Sequence, residues 1–217
     1  MTALSGVKPV GDPTLRSRTV QHIQELIISG TLPAGQRLTE ITLSEALGIS
    51  RGPLREAIRD LVDLGLLVSE PYKGLFVRSV TRKDLEEIYS LRTALEKLAF
   101  QECWNRRTPE AIDDLHQRHA ELTRVIDLQS DPFGAIEREM DLHSWCYELS
   151  SHRLLMKSWQ RLRPNLQFYF VIHQQAHGRR GPRRDAHDTY LALACGNDLA
   201  ALLAHLDEHM RQGLEQT

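Results

Sequence analysis

The stretch Leu47-Gly48-Ile49-Ser50-Arg51-Gly52-Pro53-Leu54-Arg55-Glu56-Ala57-Ile58 decides how this chain is read. Gly48 closes a short helix over residues 39–47. Ser50 stands at the cap of the next helix, with Pro53 in its first turn, where a missing N–H costs little. That helix runs to Gly65 and carries Arg51, Arg55 and Arg59 at i, i+4 and i+8. At about 100° per residue the three lie within about 80° of one another. Leu54, Ile58 and Leu61 form a neighbouring stripe, so one face can pack while the arginine face points outward.

Upstream, Val20, Ile23, Leu26 and Ile27 recur at helical spacing over residues 15–29, and Gly30 ends that helix. Downstream, Leu66-Leu67-Val68 and Leu75-Phe76-Val77 flank Glu70-Pro71-Tyr72-Lys73-Gly74, the signal of a hairpin. Three helices followed by a hairpin is the order of a winged helix-turn-helix. An arginine stripe on the second helix of such a motif suits the major groove. Arg51, near the helix N-terminus, is placed for a bidentate contact with guanine; Arg55 can reach a base or a phosphate, and Arg59 a phosphate. At the hairpin tip Gly74 allows close backbone approach, and Lys73 can meet a phosphate or the minor groove. The competing reading pairs the arginines with Glu56, Asp60 and Asp63 on a solvated face. The short helix and Gly48 turn on one side, and the hairpin on the other, weigh against it.

Composition bounds the rest. The 217 residues are 41% hydrophobic and 26% charged, with a net charge of −2. Up to residue 80 there are nine Lys/Arg against eight Asp/Glu, and beyond it 18 against 21. Neither half is strongly basic, so DNA binding must rest on one local face. No apolar run approaches the roughly 18 residues of a membrane span. Residues 1–14 form a polar arm without a secretory pattern. Cys103, Cys146 and Cys195 are odd in number, dispersed and outside any CxxC pair. They speak against a disulfide framework or a zinc ribbon, and a cytoplasmic location is expected.

After Val80 the pattern is helical throughout. Thr81-Arg82-Lys83-Asp84 resembles a capping box, and helices are expected over 81–105, 109–129, 132–150, 152–177, 185–195 and 198–214. Pro164 is expected to kink or split the fourth of these. Residues 178–184 read as an arginine-rich solvated loop, and Trp104, Trp145 and Trp159 as core. The expected fold is mostly α. A winged helix-turn-helix over 15–80, with three helices and a β-hairpin, follows the arm and precedes an all-α helical-bundle sensor domain over 81–217.

The run from Leu47 to Ile58, with Leu61, Leu64-Gly65-Leu66-Leu67, Lys73-Gly74 and the upstream Gly30–Leu38, closely resembles the DNA-binding domain of the GntR superfamily. Gly52 departs from it, standing where a hydroxyl residue is common. Leu91-Arg92-Thr93-Ala94-Leu95-Glu96, Glu139-Met140-Asp141-Leu142-His143, Asp185-Ala186-His187 and His209 resemble, more loosely, the FCD domain of the FadR-like branch. The resemblance implies a divalent metal, zinc or nickel, held by Glu139, His143, His187 and His209. Glu139 replaces the usual Asp, with Asp141 as a fallback, and His152 replaces the usual Asn. Glu139 and His143 share a helix face, being i and i+4. His187 and His209 lie nine residues before and 13 after Gly196, a height difference of about 6 Å in an antiparallel hairpin. His205 is a competitor for His209, and His173/His177 and His116/His119 are further pairs at helical spacing.

Arg92, and less so Arg163, is a candidate anchor for an effector carboxylate, although Arg92 is also spaced to pair with Glu96. The expected function is a ligand-responsive regulator, not an enzyme. It would be a repressor that binds a palindromic double-stranded DNA operator as a homodimer and is released by a small carboxylate effector. A metal-dependent hydrolase is the alternative from another class, and the absence of HExxH, GxSxG or a phosphate loop weighs against it. A regulator with a purely structural metal is the third reading.

Overall fold

Capping chemistry sets where several of the helices begin. A computed structural model describes residues 15–128, 132–176, 182 and 184–214, and the chain divides between Arg78 and Ser79 into two compact units. The arm over 1–14 lies outside the described residues, as does the arginine-rich loop apart from Pro182 and Arg184.

In the first unit, α1 (Leu15–Ile28) precedes a two-residue strand β1 (Arg37–Leu38) that the sequence pattern did not suggest. Thr39 then caps α2 (Glu40–Leu47), its hydroxyl accepting from the Thr42 amide at 3.1 Å. Gly48 ends α2 in the left-handed region at φ 63°, where glycine carries no Cβ penalty. Ser50 is the N-cap of α3 (Arg51–Asp63), but its side chain makes no capping hydrogen bond. The buried stripe of α3 is Leu54, Ala57 and Leu61, which packs on α1 and α2. Ile58, expected in that stripe, is only half-buried. β2 (Leu67–Glu70) and β3 (Gly74–Val77) form the hairpin, and β1 pairs with the other edge of β3. The antiparallel sheet therefore has the order β1-β3-β2.

In the second unit, α4 (Arg82–Cys103) starts with the expected capping box between Thr81 and Asp84. A 3-10 turn (Trp104–Arg106), α5 (Pro109–Leu128), α6 (Pro132–Ser150), α7 (Arg153–Ala176), α8 (Arg184–Cys195) and α9 (Leu199–Leu214) follow. α4 packs on α6, α7 and α9, α5 on α6 and α8, and α8 on α9. Pro164 does not split α7, which runs through it. The cost of a proline is one missing N–H to the carbonyl four residues back, and burial of Leu162, Pro164 and Leu166 holds the helix in place. His152 caps α7: its Nδ1 accepts from the Leu155 amide at 3.2 Å, the work an asparagine side chain does at such a position.

Trp145 and Trp159 are core, with Trp159 stacked on Tyr147 at 4.6 Å between centroids. Trp104 is not. It is half-buried in the 3-10 turn, beneath the Arg107 guanidinium, which also donates to the Ala194 and Gly196 carbonyls at 2.7 and 2.8 Å. The three cysteines are free. Among the described residues no helix is long and apolar enough to cross a membrane.

Candidate DNA interface and metal centre

Arg51, Arg55 and Arg59 are all exposed on α3. Two of the acidic residues beside them, Asp60 and Glu56, are approached from α1. Arg16 of α1 reaches Asp60 with Nε at 2.6 Å, also approaches it with Nη2, and lies 4.0 Å from Glu56. Arg51 and Arg59 make no ion pair among the described residues, while Arg55 Nε lies 2.8 Å from Glu40 on α2. A Cβ on Gly52 would meet nothing within 4 Å, so the departure at this position removes a hydroxyl without filling space.

The hairpin tip carries Lys73, paired with Glu70 at 2.9 Å, and Gly74 at φ 116°. A Cβ on Gly74 would stand 3.4 Å from Arg37 Nε, so the exposed β1 arginine lies alongside the tip. Arg37 is a cation that sequence reasoning missed. It reaches the hairpin only through the β1–β3 pairing, which a two-residue strand does not advertise. Tyr72 was missed as well. It is fully exposed and sits at φ 62°, a strained place for a bulky side chain. Tyr72→Asn is expected to raise the stability of the chain by about 1 kcal/mol, because asparagine tolerates the left-handed region. A higher urea midpoint would confirm this, and a lower one would mean that the tyrosine ring makes contacts its exposure does not suggest.

In the second unit, α6 supplies Glu139 and His143, α8 His187 and α9 His209. One ligand atom from each lies within 4.8 Å of all the others. Ring centroids of His143, His187 and His209 are 5.1 to 5.6 Å apart, and His187 Nε2 is 3.6 Å from Glu139 Oε1. His143 Nε2 and His209 Nδ1 are buried and lack a hydrogen-bond partner. Glu139, His143 and His187 are buried. Three imidazoles and one carboxylate, with the His143 Nε2 and His209 Nδ1 lone pairs unspent, suit a borderline divalent ion.

Asp141 is not in this group. It pairs with Arg138 and Arg163, at 3.1 and 2.7 Å, because i, i+2 turns it off the His143 face. That pairing also occupies Arg163. His205 stands beside the cluster, 5.5 Å from the His209 ring, and is not one of the converging four. His116 lies 3.7 Å from Cys195 Sγ and His119 3.0 Å from Asp188. The side chains of His173 and His177 lie outside the described residues.

Arg92 is buried, and its Nε lies 3.4 Å from Glu96, so the expected intrahelical pair is present. Its Nη2 is buried without a partner. Glu96 has no solvent exposure and places Oε1 2.6 Å from His143 Nδ1. Burial pushes the Glu96 carboxyl up to about 7, against the pull of Arg92. Burial opposes the charge on Glu139 too, but His187 and Arg92 outweigh it and hold that carboxyl below its usual value. Burial, with cationic neighbours, drives His143 and His209 well below the ordinary imidazole value.

The metal-free protein is therefore expected to lose stability on acidification. In the unfolded chain both imidazoles take up a proton as the pH falls through about 6.5, and in the fold they do not. Burial lowers His119 and His205 in the same direction. Glu96 opposes them, since its folded carboxyl binds a proton that the unfolded one takes only near about pH 4.3. Two deeply lowered histidines against one raised glutamate leave the unfolded state with the extra proton. Stability should then fall as the pH drops below about 6, the slope approaching about 1.4 kcal/mol per pH unit near pH 5. Urea titrations of chelator-treated protein across this range test it, and a flat profile would contradict the neutral buried imidazoles.

Comparisons with known proteins assign each of the two units to a family. Residues 15–77 match the family described as bacterial regulatory proteins, gntR family, and residues 87–212 match the FCD domain. The chain is 27% identical over 202 residues to the uncharacterized HTH-type transcriptional regulator YdhC of Bacillus subtilis (strain 168), covering 90% of each. It is 24% identical over 159 residues to a gluconate operon transcriptional repressor of Bacillus licheniformis, covering 73% of this chain and 65% of that one. Its fold is similar to the crystal structure of a GntR transcriptional regulator from Rhodococcus sp. RHA1, with a TM-score of 0.68, 25% identity, and coverage of 93% and 96%. The chain belongs to the GntR family of bacterial regulatory proteins, and is a DNA-binding transcriptional regulator whose C-terminal half is an FCD ligand-binding domain.

Proposed function

We propose that this regulator is a cytoplasmic repressor that binds a palindromic operator as a homodimer and is released by a small carboxylate. The DNA contacts are assigned to Arg51, Arg55 and Arg59 of α3 and to Lys73 and Gly74 at the wing. A divalent metal, zinc or nickel, is assigned to Glu139, His143, His187 and His209. The observation that carries the reading is the convergence of these four side chains around buried, unspent nitrogens.

Arg92 supports a carboxylate in particular. Nε is engaged by Glu96, and Nη2 is buried with no partner, which leaves half of a guanidinium fork for an incoming anion. The Tyr147 hydroxyl is a second buried polar group without a partner, and Arg92 lies within electrostatic reach of it. Arg163, held by Asp141, contributes less. The gluconate operon repressor, named for a sugar acid's operon, makes sugar acids the first effectors to try. The metal would supply a Lewis-acidic partner for the effector's carboxylate. The chain's own residues orient the anion and exclude water from it.

Selection from randomised duplexes, followed by anisotropy titrations with sugar acids and small organic acids, tests this reading. A palindromic consensus, released by one acid only when the protein is metal-loaded, is the expected result. A consensus without two-fold symmetry, or equal release of chelator-treated protein, would overturn it.

A further inference from the structure

Glu96 is a fully buried ionisable side chain that the reading above leaves without a task. It comes from α4, while His143, whose Nδ1 it meets at 2.6 Å, comes from α6. Its other oxygen lies 3.4 Å from Arg92 Nε, one turn back on the same helix. A neutral imidazole can offer one nitrogen as a ligand only when the other carries the proton, and it can lie in either of two ring flips. In His143 the Nδ1 side is closed by a carboxylate. The Nε2 side is buried, unpartnered and turned to the rings of His187 and His209, at 5.6 and 5.4 Å.

We propose that Glu96 is a positioning residue for the metal centre. It accepts the His143 Nδ1–H, and so selects the tautomer and ring flip that present Nε2 to Glu139, His187 and His209. Arg92 anchors the second oxygen, which keeps the carboxylate from rotating away. The proposal rests on the assignment of those four residues as metal ligands. Carboxylates in this position hold an imidazole ligand in its binding orientation, and their loss typically weakens metal binding about 10- to 100-fold.

The test uses the full chain and zinc alone, with affinity read by competition against a chromophoric chelator. Glu96→Ala is expected to bind zinc about 10- to 100-fold more weakly than wild type. Glu96→Gln should recover most of that loss, because the amide oxygen can still accept from Nδ1–H. If both variants fail to fold, imidazole nitrogen NMR of metal-free wild type at alkaline pH decides: His143 should carry its proton on Nδ1, and a proton on Nε2 overturns the proposal. Wild-type zinc affinity in folded Glu96→Ala overturns the positioning role and leaves the metal centre standing. Absence of metal binding by the wild type overturns both.

Discussion

His143→Ala is expected to abolish stoichiometric metal binding. His143 is fully buried, shares a helix face with Glu139, and contributes an Nε2 that no other group satisfies. Without it the remaining three ligands come from three different helices and no longer include the face-sharing pair. A ligand present at about a thousand times its Kd stabilises the folded state by about 4 kcal/mol, and this increment is what the variant should lose. The substitution also removes one partner of Glu96, leaving Arg92, and costs roughly 1–3 kcal/mol in the metal-free protein. The metal-induced shift in the unfolding midpoint is therefore the quantity to compare, with elemental analysis beside it. His205, 5.5 Å from the His209 ring, is the residue best placed to substitute. Full occupancy in folded His143→Ala would refute the four-residue assignment.

Arg51→Ala is expected to weaken operator binding by about 1–3 kcal/mol, roughly 10- to 100-fold, and to relax preference at one base position. The side chain is exposed in the first turn of α3, so the fold should change by no more than about 0.5 kcal/mol. Arg55→Ala should also weaken binding, by less, because Arg55 must give up Glu40 to reach DNA. Arg59→Ala should weaken binding to all sequences alike and lower the salt slope by about one. Unchanged affinity in folded Arg51→Ala would remove α3's N-terminal arginine from the reading surface.

The linear pattern determined the helices and the hairpin. Helical periodicity, the Gly48 stop, the Thr81 box and the flanking apolar triplets each act within about four residues, the range over which backbone hydrogen bonds and side-chain spacing operate. Reading them placed every long helix to within a residue or two, and put Glu139 and His143 on one face. Motif resemblance singled out His187 and His209 as ligand candidates. The tertiary fold decided which distant groups meet. Glu96 and His143 are 47 residues apart, and Arg16 and Asp60 are 44 apart. Each pair forms because two helices cross at a particular rotation about their own axes. The same rotation brings His209 rather than His205 among the converging four, engages Arg163 with Asp141, and leaves half of Arg92 unspent beside Glu96. Helix-to-helix packing sets that rotation through the fit of many side chains at once, and no local spacing encodes it.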